Sequence, residues 1–275
     1  MSERCVVSAL YNYPVKSCRG TSVASASISP LGIDGDRQLM ILKAGKFANQ
    51  ARLPKLATVA TRRIDANSIE FEAGGRIVTH AVDASGAESA IDFYGNTIAV
   101  VDQGDVLADL ISSTVDTEVR VVALKETFRR AVPLDEFAVI DGTNQSRFVD
   151  VAPVLVTNVG SLEDLNGKLA NQVPMNRFRP NVVVEGLGAF EEDSVATLDG
   201  DGWQLVRATH CERCAVTCTD QETGERTSEP LATLKSYRHR ENGYAGGVMF
   251  GAYMGVIGKG TIRVGDPLRV TKVGP

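Results

Sequence analysis

Residues 175–185 read Met175-Asn176-Arg177-Phe178-Arg179-Pro180-Asn181-Val182-Val183-Val184-Glu185, a basic turn that leads straight into a β-branched run. Branching at Cβ favours extended backbone, so the run predicts a strand. Similar short runs recur on both sides, with Gly, Asp and Asn between them. They are Val6–Tyr11, Gln38–Leu42, Thr97–Val101, Val119–Val122, Val154–Thr157, Trp203–Arg207 and Leu268–Val270. This spacing predicts a mainly β protein of barrels or strongly bent sheets. Gly265-Asp266-Pro267 reads as a turn feeding the last strand.

Helical patterns are few. Gly104–Ser112 has Asp105 near its start. Ser161–Leu169 has Ser161 as its expected cap and Asp164 three residues on. Pro230–Arg238 has an early proline and basic residues in its last turn.

The chain has 275 residues, enough for one large or two small domains. Residues 125–150 mix charge, Pro and Gly without a period. They divide the chain into modules 1–122 and 123–275, with Ala123–Phe148 as a connecting or active-site loop. The net charge of −5 excludes a protein that wraps duplex nucleic acid. No apolar run approaches the ~18 residues of a membrane span. The start, Met1-Ser2-Glu3-Arg4, lacks a signal-peptide layout, so a cytoplasmic location is expected.

Five cysteines is an odd number that suits free thiols. Three crowd together in His210-Cys211-Glu212-Arg213-Cys214-Ala215-Val216-Thr217-Cys218. Such a segment can bind zinc, hold an iron–sulfur cluster with Cys5 or Cys18, or give one thiolate to a heavier metal. Buried cysteines also serve simply as small hydrophobes. Arg213 beside Cys214 favours its thiolate. Three further segments set cations among small or polar residues: Tyr13-Pro14-Val15-Lys16-Ser17-Cys18-Arg19-Gly20, Gly32–Arg37 and Met175–Asn181. Ammonium, hydroxyl and guanidinium groups suit a phosphate-bearing ligand where they converge. Gly32–Gly35 also reads as a hairpin turn, and Gly243–Gly251 as a flexible loop near the mouth of a site. Of the histidines, His210 lies near the cysteine segment, where it either touches substrate or is a structural histidine.

These residues together resemble a known family. Cys211-Glu212-Arg213-Cys214 with Thr219–Gly224, Glu229–Arg238 (EPLATLKSYR), Phe178-Arg179-Pro180-Asn181, Phe250-Gly251 and Gly265-Asp266-Pro267 are similar to the MOSC domain (molybdenum cofactor sulfurase C-terminal domain). Tyr13–Ser17 and Gly35-Asp36-Arg37 resemble the β-barrel module that precedes it. The likeness covers nearly the whole chain and points toward the mitochondrial amidoxime reducing component and its bacterial relatives.

The resemblance implies a mainly β (α+β) fold, an N-terminal MOSC β-barrel module followed by a MOSC β-barrel domain with a few helices. It implies a Mo-molybdopterin cofactor with Cys214 as the one protein ligand to molybdenum. Lys16, Ser17, Arg37 and Arg179 correspond to the family's phosphate-holding residues, and Asn181 to a pterin contact. Thr157 and Ser161 fall where the family has polar cofactor contacts. Asp193 falls at a conspicuous acid of the active site. The implied reaction is two-electron reduction of N-hydroxylated compounds such as amidoximes, hydroxylamines and N-hydroxylated bases. Electrons are then expected from a separate ferredoxin, flavodoxin or cytochrome-type protein. A non-catalytic carrier of the cofactor would share the same pocket.

Overall fold

The computed structural model describes residues 3–125, 130–131, 145–241 and 246–273. Seven strands close into a barrel: β1 (Arg4–Asn12), β2 (Val154–Asn158), β3 (Val182–Glu185), β4 (Val195–Asp199), β5 (Trp203–Glu212), β6 (Met249–Gly258) and β7 (Pro267–Lys272). Three α-helices occur among the described residues: α1 (Asp105–Val115), α2 (Val159–Asn166) and α3 (Leu231–Tyr237). The order around the wall is β3-β2-β6-β5-β4-β7-β1, and β1 pairs with β3 to close the ring. The pair β2–β3 is parallel. A hairpin cannot join parallel neighbours, and the connection carries α2.

Strand alternation fills the barrel. Val7 and Leu10, Val154 and Val156, Val182 and Val184, and Ala252, Met254 and Val256 meet in one apolar cluster. The register of β1 slips between Val7 and Ala9, a bulge that keeps both Val7 and Leu10 inside. Removing such apolar surface from water contributes about 25 cal/mol per Å². Trp203 belongs to this cluster and donates its indole N–H to the Thr261 carbonyl at 3.3 Å.

A five-stranded sheet lies outside the barrel, in the order Glu88–Phe93, Asn96–Asp102, Arg120–Leu124, Leu39–Lys43, Lys46–Phe47. Leu39–Lys43 separates two cores. Leu39 and Ile41 pack with Leu107, Leu110 and Ile111 of α1, whereas Met40 and Leu42 face Phe93 and Phe148. Sheet pairing crosses the 122/123 division. Arg120–Leu124 runs through it, and β1 is a stave of a barrel otherwise built from residues 154–272.

Two local expectations change. Helix α2 starts before Ser161, because Asn158 is the cap and its side chain accepts from the Gly160 N–H at 3.2 Å. Met249–Gly251 belong to β6, where they pair within the barrel rather than form a loop; residues 243–245 of that stretch lie outside the described residues. Within Ala123–Phe148, Arg130–Ala131 pairs with Gln145–Ser146, and residues 126–129 and 132–144 lie outside the described residues. No helix among the described residues is long and apolar enough to cross a membrane.

Candidate functional site

Beyond β1 the chain folds back over the strand Leu39–Lys43: Lys16 N–H donates to the Leu39 carbonyl at 2.7 Å and Leu39 N–H to the Pro14 carbonyl at 3.0 Å. Three residues near this junction take left-handed backbone, Ser17 (φ 73°), Arg37 (φ 47°) and Arg179 (φ 52°). Residues with a Cβ avoid this region, so the surrounding contacts must hold it. Gln50 Nε2 holds the Ser17 carbonyl at 2.9 Å, and Arg37 N–H donates to the Tyr13 carbonyl at 2.7 Å. Arg179 ends a 3₁₀ turn, Met175–Phe178, with its N–H on the Asn176 carbonyl at 3.1 Å.

All three line one cavity of about 600 Å³. Its base includes Leu155 and Tyr253, which alternate with core-facing neighbours on β2 and β6, so the cavity sits against the outside of the barrel. Lys16, Arg37, Arg177, Arg179 and Arg213 bring positive charge, against the carboxylates Asp150 and Glu212. In a chain of net charge −5 this is a local inversion.

The cations are held rigidly. Arg179 Nη1 donates to the Cys18 carbonyl at 2.7 Å and to Gln221 Oε1 at 3.2 Å. Gln50 and Gln221 exchange two amide hydrogen bonds of 3.0 Å, joining the two halves of the chain. Arg213 donates to the Phe250 and Phe178 carbonyls at 2.8 and 2.9 Å. Gly251 (φ 81°) makes this approach feasible: a Cβ there would meet the Val156 carbonyl at 2.6 Å and crowd Arg213. Burial lowers the pKa of Arg179. For Arg37, burial opposes the charge, but Asp36 and Tyr13 outweigh it and raise the pKa. Burial also opposes ionisation of Asp150. The Lys16 ammonium and hydrogen bonds from Lys16 and Tyr94 outweigh that and pull Asp150 down to about 2.

Cys214 is the exposed cysteine, at the cavity wall beyond β5, and Cys5, Cys18, Cys211 and Cys218 are buried. Burial raises Cys5 to about 11 and Cys18 to about 12, and Cys211 is also raised. Raised thiols make poor ligands. No group of three or more His, Cys, Asp or Glu among the described residues forms a metal site. Cys214 therefore stands as a single exposed sulfur facing a basic cavity.

The structure brings Lys16, Ser17, Arg37, Arg179, Asn181 and Cys214 to this cavity. It does not bring Thr157, Ser161 or Asp193 there. Thr157 donates its hydroxyl to Met175 Sδ at 3.2 Å. Ser161 donates to Glu192 at 2.6 Å and accepts from the Phe190 N–H at 2.8 Å, so it braces α2. Asp193 is paired with Arg238. His210 lies against Arg240, outside the cavity lining. Asn181 is already occupied: it accepts from the Leu155 N–H at 3.2 Å and donates to the Tyr11 carbonyl at 3.4 Å.

Asp150, Tyr94 and Tyr253 line the cavity with no sequence motif to mark them, and Arg177 lines it from the basic segment Met175–Asn181. Arg177 had one available signal, its place in the basic turn before β3. Arg213 was noticed only as a neighbour of Cys214. Its buried Nη2 has no hydrogen-bond partner among the described residues, nor has the buried Nε of Arg177. Unmet cationic donors beside a cavity fit an anionic group, so the donor set suits a phosphate-bearing cofactor.

Comparison with known proteins gives matches to a MOSC domain over residues 143–269 and to a MOSC N-terminal beta barrel domain over residues 4–118. Mitochondrial amidoxime reducing component 2 of Bos taurus is 32% identical over 95% of this chain and 82% of its own length. Mitochondrial amidoxime-reducing component 1 of Mus musculus is 32% identical over 95% and 81%, and that of Homo sapiens 30% identical over 95% and 82%.

Proposed function

The chain belongs to the MOSC-domain family that includes the mitochondrial amidoxime reducing components, and from that premise we propose that it is a molybdenum-cofactor-dependent reductase of N-hydroxylated compounds. One observation carries the reading: Lys16, Ser17, Arg37, Arg179 and the exposed Cys214, drawn from distant parts of the chain, line a single basic cavity. When bound, the molybdenum cofactor supplies a two-electron redox centre. Cys214 would be its thiolate ligand, and Lys16, Arg37 and Arg179 would hold its phosphate, with the open donor of Arg213 beside them. The balanced reaction takes R–NH–OH, two electrons and two protons to R–NH₂ and water. The N–O bond breaks, and the electrons come from a separate donor protein.

The residues of this chain have defined parts. Buried guanidiniums need no reorganisation to meet an anion, which favours tight retention. The low pKa of Asp150 keeps it ionised at neutral pH, so it accepts hydrogen bonds and does not supply the protons. Protein made in a cofactor-competent host should contain near-stoichiometric molybdenum and pterin. With a reduced viologen dye it should convert benzamidoxime to benzamidine. Cofactor without turnover would point to a carrier, and zinc or iron without pterin would overturn the reading.

A further inference from the structure

Resting on the reading above, we infer that Tyr13 is a positioning residue: its ring contacts two arginines and holds both in place to grip the anion. The guanidinium carbon of Arg37 stands 4.4 Å from the Tyr13 ring centroid, and that of Arg179 stands 4.5 Å from the same centroid. Two cations brought to one place repel each other. The negative π-density of one ring in contact with both offsets that repulsion, most strongly where water is excluded. Tyr13 is 3% exposed, and Arg179 is 8% exposed.

The ring itself is fixed. Tyr13 N–H donates to Asp36 Oδ1 at 2.9 Å, and the same Asp36 carboxylate pairs with Arg37. A Cβ on Gly20 would strike the ring edge at 2.4 Å, so Gly20 makes the space that the ring fills. One aromatic side chain therefore ties an arginine from each half of the chain into one geometry. The Tyr13 hydroxyl contributes nothing to this: it is buried and has no hydrogen-bond partner among the described residues. The ring's π-density is what acts, and phenylalanine should replace tyrosine without loss.

The test varies the ring's charge distribution at nearly constant shape. Variants carry Tyr13→Phe, Tyr13→Leu, and pentafluorophenylalanine at position 13 by non-canonical incorporation. Two quantities are read: pterin and molybdenum retained per protein after extensive dilution, and the rise in Tm of cofactor-free protein on titration with inorganic pyrophosphate. Tyr13→Phe should match the parent in both. The fluorinated ring, which inverts the quadrupole, and Tyr13→Leu should each weaken pyrophosphate affinity about tenfold and lower retention in parallel. A purely packing role would leave the fluorinated protein like the phenylalanine one, which overturns the proposal even if Tyr13→Leu does not fold. A loss in Tyr13→Phe equal to that in Tyr13→Leu would assign the effect to the hydroxyl and also overturn it. A parent without pterin, whose pyrophosphate response still follows the ring series, would retain the role of the ring and withdraw the reductase reading.

Discussion

The barrel interior and several cations of the cavity on its outer wall are both buried, yet opposite rules build the two regions. Inside, Val7, Leu10, Val156, Val184 and Met254 satisfy one another, and any apolar residue of similar volume would serve. Outside, Arg179, Arg213 and Lys16 are nearly as buried, and each needs specific carbonyl, amide or carboxylate partners. Burying a cation without partners is costly. The same strands serve both regions: Met254 faces in, and the adjacent Tyr253 faces the cavity. The core supplies stability, and the cavity uses some of it to hold three residues in left-handed backbone.

Substitutions separate the two regions. Cys214→Ser should abolish turnover and molybdenum binding while leaving the Tm of cofactor-free protein unchanged, whereas Cys211→Ser should keep its metal. Metal analysis beside calorimetry checks the pair, and a metal-loaded, active Cys214→Ser protein would break the assignment. Met254→Ala should do the reverse. It should cost about 2–5 kcal/mol in denaturant unfolding, as core truncations do, with cavity chemistry intact in the protein that remains folded. Next in size is Arg179→Ala. It should weaken pterin retention about tenfold or more, with a stability change within about 2 kcal/mol because the buried charge is itself costly. Unchanged pterin retention would remove Arg179 from the anion grip.

A further effect concerns a carboxyl that belongs to neither region. Burial raises the pKa of Glu192 to about 7, against the pull of its Ser161 hydrogen bond. The folded protein thus holds this proton more tightly than the unfolded chain. The associated stability is fully present below the unfolded pKa near ~4.3 and is lost as pH rises toward 7. Unfolding free energy should fall across that window by up to about 1.4 kcal/mol per pH unit. Glu192→Gln should flatten the slope, as urea melts at pH 5 and pH 8 would show. A slope unchanged in the variant would assign the pH dependence to other groups.

The amino-acid sequence revealed the strands best, because alternation and β-branching are local. Val154–Thr157, Val182–Glu185 and Leu268–Val270 all fall in the barrel wall. It revealed less about Ser68–Ala73 and Arg76–Ala81, where polar residues and glycines blur the pattern. Helix α2 was found but begun too late, since Asn158 competed successfully with Ser161 for the cap. Lys16, Arg37, Arg179 and Cys214 were named by motif resemblance, and Thr157, Ser161 and Asp193 by the same route. Nothing local distinguishes the two sets. Ser161 finds Glu192 because α2 meets the segment after β3, and Asp193 finds Arg238 because the end of α3 meets that same segment.

What the linear chain established is the β character, the free thiols and the residue types suited to a thiolate-bound, phosphate-bearing cofactor. Tertiary structure alone decided which cysteine is open, which arginines share the Tyr13 ring and which polar residues brace the frame instead of the site. The physical reason is range. Strand propensity acts over a few residues, whereas the Lys16–Asp150 pair and the Gln50–Gln221 bridge join segments more than a hundred residues apart.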